Sequence, residues 1–250
     1  MSLFGNLKSD GLEQTQDRLG GGYQPKETDI YTGKIKALYA GKSAGGAQSV
    51  SLILSLADGS EYRETFWITN KKGENFFLNK DDKTKKVPLP GFTIVDDLCL
   101  VTTGKPLAEQ DTEEKTIKLY DSEAKKELPK AVPMLVEALG LEVSLGIVKV
   151  LENKNEKQGD EYVPTAETRE LNATDKVFHT ETRMTVVEAR EGAEVAKFWD
   201  SWLERNKGNT RDKRTIKDGQ AGTAGAPKAA GASAAAPAAG GAPRKSLFGK

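Results

Sequence analysis

Residues 29–69 read DIYTGKIKALYAGKSAGGAQSVSLILSLADGSEYRETFWIT, and this stretch decides the fold. In its first part, 29–42, Tyr31, Ile35 and Tyr39 fall on one side of an extended chain, and Thr32, Lys34 and Lys36 fall on the other. SAGGAQ (43–48) reads as a turn. SVSLILSL (49–56) then points Val50, Leu52, Leu54 and Leu56 one way. The Asp58-Gly59 pair makes the next turn, and EYRETFWIT (61–69) is a third strand with Tyr62, Phe66 and Ile68 inward and Arg63, Thr65, Trp67 and Thr69 outward. The expectation is a three-stranded meander.

Working outward, the lysine-rich stretch 71–91 reads as a loop or ragged hairpin bounded by prolines. FTIVDDLCLVTTG (92–104) has helical spacing, with Thr93 as N-cap and Gly104 at the stop. KTIKLYD (115–121) and LEVSLGIVKVLENK (141–154) read as strands, separated by PMLVEALG (133–140), a helix punctuated by Pro133 and Gly140. Residues 155–174 read as a polar excursion, and KVFHTETRMTVVEA (176–189) as a last strand, alone or followed by a turn. In GAEVAKFWDSWLERNKG (192–208), Val195, Phe198, Trp199, Trp202 and Leu203 form one apolar helical stripe, which docks on its own body. Residues 1–28 lack a sustained period and read as an arm. From 209 onward the composition collapses to Ala, Gly, Pro and a few charges, a tail that cannot repay the entropy of ordering. The domain reading is therefore arm 1–28, folded body 29–208 and tail 209–250.

The chain has 37 basic and 37 acidic residues, but they are segregated. From Asn206 onward nine Lys/Arg face two acids, which makes that end +7 and leaves the rest at −7. A polyanionic partner must therefore meet a local basic groove or the tail. Eighteen uninterrupted apolar residues occur nowhere, and charges stand where a signal peptide needs its apolar run, so no membrane contact and a cytoplasmic location are expected. A single cysteine, Cys99, and a single histidine, His179, exclude an intrachain disulfide and the common thiolate and imidazole metal sites. The pairs Asp81-Asp82 and Asp96-Asp97 are adjacent in sequence and so diverge in a strand or helix. AGKSAGG (40–46) resembles a phosphate loop, yet Lys36 stands where that pattern requires glycine and no helix follows. No catalytic residue, metal or cofactor is assigned, and a non-enzymatic role is expected.

One segment points to a ligand. Between Arg63 and Lys86, Arg63, Lys71, Lys72, Lys80, Lys83, Lys85 and Lys86 interleave with Phe66, Trp67, Phe76 and Phe77, of which Phe66 falls on the inward row. Binding of single-stranded nucleic acid needs cations to displace backbone counterions and flat side chains on which unpaired bases stack. Lys34 and Lys36, on the polar face of the first strand, extend the candidate groove, and Lys42 in the hairpin turn reaches a phosphate. The opposing reading makes the aromatics packing residues and the lysines solubilising ones.

A strand meander with a basic, aromatic third strand, then a helix, then further strands, fits a mainly β, α+β architecture of OB type: a five-stranded, partly open barrel with an inserted helix, a C-terminal amphipathic helix and a disordered tail. In ETFWITNKKGENFF, in ATDKVFHTETRMTVVEAREGAEVAKFWDSWLERNKG and in the low-complexity tail, the sequence resembles the single-stranded DNA-binding proteins of tailed bacteriophages. That resemblance implies coating of single-stranded DNA in replication and recombination, with Trp67, Phe76, Phe77 and the nearby lysines at the DNA. It also implies a tail tip that recruits replication proteins such as a polymerase, helicase or primase, and self-association on DNA. The tip is RKSLFGK (244–250), whose SLFG repeats residues 2–5, so Leu3, Phe4, Leu247 and Phe248 are the expected partner-binding anchors. This tip is basic, whereas such proteins commonly end in an acidic one, which argues against self-inhibition by DNA mimicry. The alternative is a structural or scaffolding protein of a virion or assembly that binds no nucleic acid.

Overall fold

The computed structural model describes residues 24–121, 123–159 and 161–216; both SLFG tips and the tail from 217 lie outside them. The fold is mainly β. Strands β1 (Asp29–Lys42), β2 (Gln48–Leu56) and β3 (Glu61–Trp67) form the expected antiparallel meander, with Leu38 opposite Leu52 and Phe66 opposite Val50. A bulge between Ile35 and Ala37 leaves Lys36 out of register. The extra residue switches the face of everything after it, so Ile35 and Leu38 both enter the main core while Ala37 and Tyr39 turn to a second one. The simple alternation read from the sequence thus ends at Lys36.

Strands β4 (Phe76–Leu78) and β5 (Lys86–Pro88) make a separate small hairpin, and helix α1 (Pro90–Thr103) follows directly. Pro90 occupies its first turn and Gly104, at φ 75°, ends it. Thr93 is not the cap: it lies inside the helix, its hydroxyl donating to the Leu89 carbonyl at 3.3 Å. Strands β6 (Thr112–Asp121) and β7 (Lys126–Leu135) form a hairpin whose end contacts β1 at Tyr39–Met134. The helix expected at 133–140 is instead the end of β7 and a single 3-10 turn. Strands β8 (Glu142–Gln158) and β9 (Glu161–Phe178) pair along their full length, so the expected polar excursion is a long hairpin arm.

The main path runs β3-β2-β1-β8-β9. Where β1 leaves β8, strand β10 (Thr210–Asp212) takes over the same edge in parallel. Residues 209–216, read from sequence as tail, therefore belong to the body: Asn153 accepts hydrogen bonds from Thr215 and Ile216 at 2.8 and 2.9 Å. The N-terminal boundary also moves. Thr28 is buried, donates to the Asn209 carbonyl and accepts from the Lys149 amide.

The sheet has eight strands, not five, and is not a closed barrel: no backbone ladder among the described residues joins β3 to β9. Side chains bridge them instead, and the Tyr62 and Thr174 hydroxyls lie 3.3 Å apart. Glu64 Oε2 accepts from the Thr174 amide (2.9 Å), the Thr174 hydroxyl (2.6 Å) and the Tyr62 hydroxyl (2.6 Å). Helix α1 packs on both β3 and β9, burying Val95, Leu98, Cys99, Leu100 and Val101 against Leu52, Leu54, Tyr62 and Val177. Burial pushes the Cys99 thiol up to about 12, which keeps it inert.

Helices α2 (Val186–Arg190) and α3 (Phe198–Asn206) share one cap. Glu188 completes a capping box with Thr185 and also accepts from the Lys197 and Phe198 amides, at 2.7 and 2.8 Å. This sets the start of α3 at Phe198 and leaves Val195 exposed, outside the expected stripe. Trp202 is buried with Val148, Val150 and Phe178, and its indole N–H donates to Asp175 at 2.7 Å. Gly146 makes room for it, since a Cβ there would stand 2.9 Å from the ring.

Asp97 on α1 lies within electrostatic reach of Lys176 and Arg190, but burial dominates and pushes its carboxyl up to about 6. Between 3.8, its ordinary value, and about 6, the folded state keeps a proton that the unfolded chain releases. The contribution of Asp97 to stability is therefore lost as pH rises through about 6. Asp97→Asn is expected to stabilise the protein near pH 7.5 by about 1–3 kcal/mol, and much less near pH 4. Thermal unfolding of both proteins at the two pH values checks this.

Candidate nucleic-acid interface

Trp67 is the last residue of β3 and lies opposite Ser49. The period of two places it on the outer face with Arg63 and Thr65, as read from the sequence, and it is 50% exposed. Thr69 departs from that row: it is buried, and its hydroxyl accepts from the Gln48 amide at 2.8 Å. The backbone of Trp67 lies under the first turn of α1. A Cβ on Gly91 would come within 2.3 Å of the Trp67 carbonyl oxygen, so only glycine lets the helix approach.

After β3 the chain turns at Asn70, whose side-chain oxygen accepts from the Lys72 and Glu74 amides at 2.8 and 3.0 Å. This local ring puts Lys71 and Lys72 at the apex, with the stem of Lys71 against Gly45 in the β1–β2 turn. Lys42, at the end of β1, borders the same turn. The β4–β5 hairpin follows, tied to the start of α1 by the Leu89 amide donating to Asn75 at 2.8 Å. In it Phe76 faces Pro88, Phe77 faces Val87 and Leu78 faces Lys86. Phe77 is 46% and Leu78 47% exposed, and the Lys86 ammonium sits 4.3 Å from the centre of the Phe76 ring.

Six lysines and three acids occupy 71–86. Lys85 pairs with Asp82 at 3.5 Å; among the described residues, Lys42, Lys71, Lys72, Lys80, Lys83 and Lys86 have no carboxylate in ion-pair contact. One end of the outer face thus collects exposed aromatics and uncompensated ammonium groups. Leu78 joins it, although the sequence reading did not assign it.

The other candidate cations lie elsewhere. Lys34 is 3.8 Å from Glu142, and Lys36 and Arg63 both engage Glu61. Hydrogen bonds, first from Lys36 and then from Arg63, hold the Glu61 carboxyl below the usual carboxylate range. Glu61 stands six residues before Trp67 on β3, roughly 20 Å away at the rise of a strand. Between the two ends, the β6–β7 hairpin covers Ala37 and Ile53 in the second core. The single groove expected from Lys34 to Lys86 is therefore two separate ends, one with unpaired lysines and aromatics and one internally neutralised.

Other candidates resolve as structure. Trp199 packs edge-on to Phe178 at 5.0 Å and carries Arg183 over its face, and Trp202 is core. His179 closes a turn through Thr182, and burial lowers its pKa. Among the described residues no three His, Cys, Asp or Glu side chains gather to hold a metal ion, and no helix is long and apolar enough to cross a membrane. No family model matches the chain, and no curated protein matches it.

Gly91→Ala is expected to push α1 away from β3 and to destabilise the protein by about 1–3 kcal/mol. Chemical denaturation measures the loss. Stability equal to that of the parent chain would contradict the close approach at Trp67.

Proposed function

We propose that the protein binds single-stranded DNA without sequence preference and without catalysis, through the end of the sheet formed by Trp67, the β4–β5 hairpin and the β1–β2 turn. The observation that carries this reading is the concentration of two half-exposed aromatics, Trp67 and Phe77, among six lysines that have no carboxylate in ion-pair contact among the described residues, on a body that is otherwise acidic. Aromatic faces stack any base, and ammonium groups displace counterions from any phosphate backbone, so this chemistry is sequence-independent.

The strand order supports an OB-like assignment within the larger sheet. A meander, a helix after the third strand, then two long strands in the order β3-β2-β1-β8-β9 is the connectivity of that barrel, with β6–β7 as an insertion and the β3–β9 side left open. In this reading the SLFG words at 2–5 and 246–249 serve partner recruitment, in replication and recombination of phage DNA, rather than DNA contact.

Trp67→Ala is expected to weaken binding to oligo-dT by about 1–3 kcal/mol while shifting unfolding by no more than about 0.5 kcal/mol, because the ring is half in solvent. Fluorescence titration and thermal unfolding of the same variant read the two effects. In addition, log affinity should fall linearly with log salt, with a slope between about −2 and −4 for three to six neutralised phosphates. Binding unchanged in the variant removes Trp67 from the site; no binding of oligo-dT by the parent chain favours the assembly-protein alternative, in which Trp67, Phe77 and Leu78 face another protein.

A further inference from the structure

The neutralised end of the sheet has a geometry of its own. Lys36 Nζ donates to Oε1 of Glu61, and Arg63 donates from Nε and Nη2 to Oε2 at 3.0 and 2.7 Å. Donors from two strands converge on a single carboxylate, and Lys36 is the residue at which the β1 ladder slips. A guanidinium fork and an ammonium aimed at two oxygens is the arrangement that takes a phosphate. Glu61 opens β3 beside the β2–β3 turn, and the Lys36 and Arg63 side chains remain 59% and 49% exposed. Ion pairs this exposed are weak and screened by salt, so an incoming anion can exchange with the carboxylate.

We propose that Lys36 and Arg63 form a phosphate-binding site for a nucleic-acid backbone and that Glu61 is its resident competitor. The proposal rests on the reading of the protein as a single-stranded DNA binder. Arg63 stands in the same outward row as Trp67, four residues back and roughly 13 Å away, and Thr65 between them is exposed, so a strand stacked on Trp67 reaches Arg63 along β3 itself, beside the hairpin that covers Ala37 and Ile53 on the neighbouring strands. A phosphate entering there displaces Glu61 instead of salt ions. The wild-type salt dependence is therefore shallower than the number of cations along the path implies.

The test is titration of the full chain with oligo-dT across a salt series, comparing the parent protein, Glu61→Gln, Glu61→Ala, Glu61→Gln combined with Arg63→Ala, and Trp67→Ala. The Glu61 variants are expected to bind several-fold tighter at low salt, with a log–log slope steeper by about 1.4, since each of two released cations adds about 0.7 for a single strand. Adding Arg63→Ala to Glu61→Gln should remove most of that gain. Unchanged affinity and slope in both Glu61 variants, with weakened binding in Trp67→Ala, overturns the proposal and leaves the DNA-binding reading standing. A gain that survives Arg63→Ala overturns it as well, because the effect is then a general loss of negative charge. Absence of binding in every protein overturns both readings together.

Discussion

The seam between β3 and β9 is drawn together around one half-buried carboxylate. Glu64 belongs to β3, on the inward row between Tyr62 and Phe66, where an apolar residue would ordinarily stand. Burial raises its pKa, and the three hydrogen bonds to Oε2 from Thr174 and Tyr62 oppose that shift. A carboxylate withdrawn from water loses hydration that these donors replace, and two of the three belong to Thr174, so the site favours β9 staying against β3. The carboxylate and the seam therefore hold each other: side chains do the work that a backbone ladder does elsewhere in the sheet. The seam needs no ladder along its length because α1 packs across the opening and supplies the burial.

That arrangement also positions the proposed binding end. Helix α1 packs on β3 and β9 together, and its first turn presses on the Trp67 backbone through Gly91. The short β4–β5 hairpin enters α1 directly and is tied to it through Leu89. The exposed indole and the two phenylalanines are thus referenced to the core through a helix that is itself fixed by the seam. Stacking platforms gain from such rigidity, since no ordering of the aromatic side has to accompany binding.

The legible parts of the fold were those with a buried face. The β1–β3 meander, the body of α1 and the Trp202 side of α3 all carry a periodic apolar pattern, and they stand where the pattern puts them except in β1 beyond the bulge at Lys36, where Tyr39 changes face, and at the buried Thr69. Residues 155–174 were illegible because the β8–β9 arm beyond Asn153 is held by its ladder and by surface pairs such as Lys154–Glu167, so no alternation is written into it. PMLVEALG misled because Pro133 and Gly140 punctuate a helix and a strand end equally well, and Pro133 lies in a strand paired on that side only with β6. The site was legible as composition but not as geometry. Nothing local in the sequence says that Glu61 claims both Lys36 and Arg63, or that a bulge at Lys36 and a covering hairpin divide the polar face.

That division matters through screening. At physiological ionic strength the Debye length is about 8 Å, while the two ends of β3 lie roughly 20 Å apart. The carboxylates near Glu61 and Glu142 therefore have little hold on the potential at Lys72 or Lys83, and a body that carries 33 acidic against 30 basic residues over 24–216 can present a positive end. Total charge is the wrong quantity for judging a polyanion partner here. What counts is how many ammonium groups lie within one Debye length of an aromatic face and have no carboxylate of their own. By that measure the hairpin end qualifies, because there the lysines outnumber the acids two to one and, among the described residues, only Lys85 is in ion-pair contact.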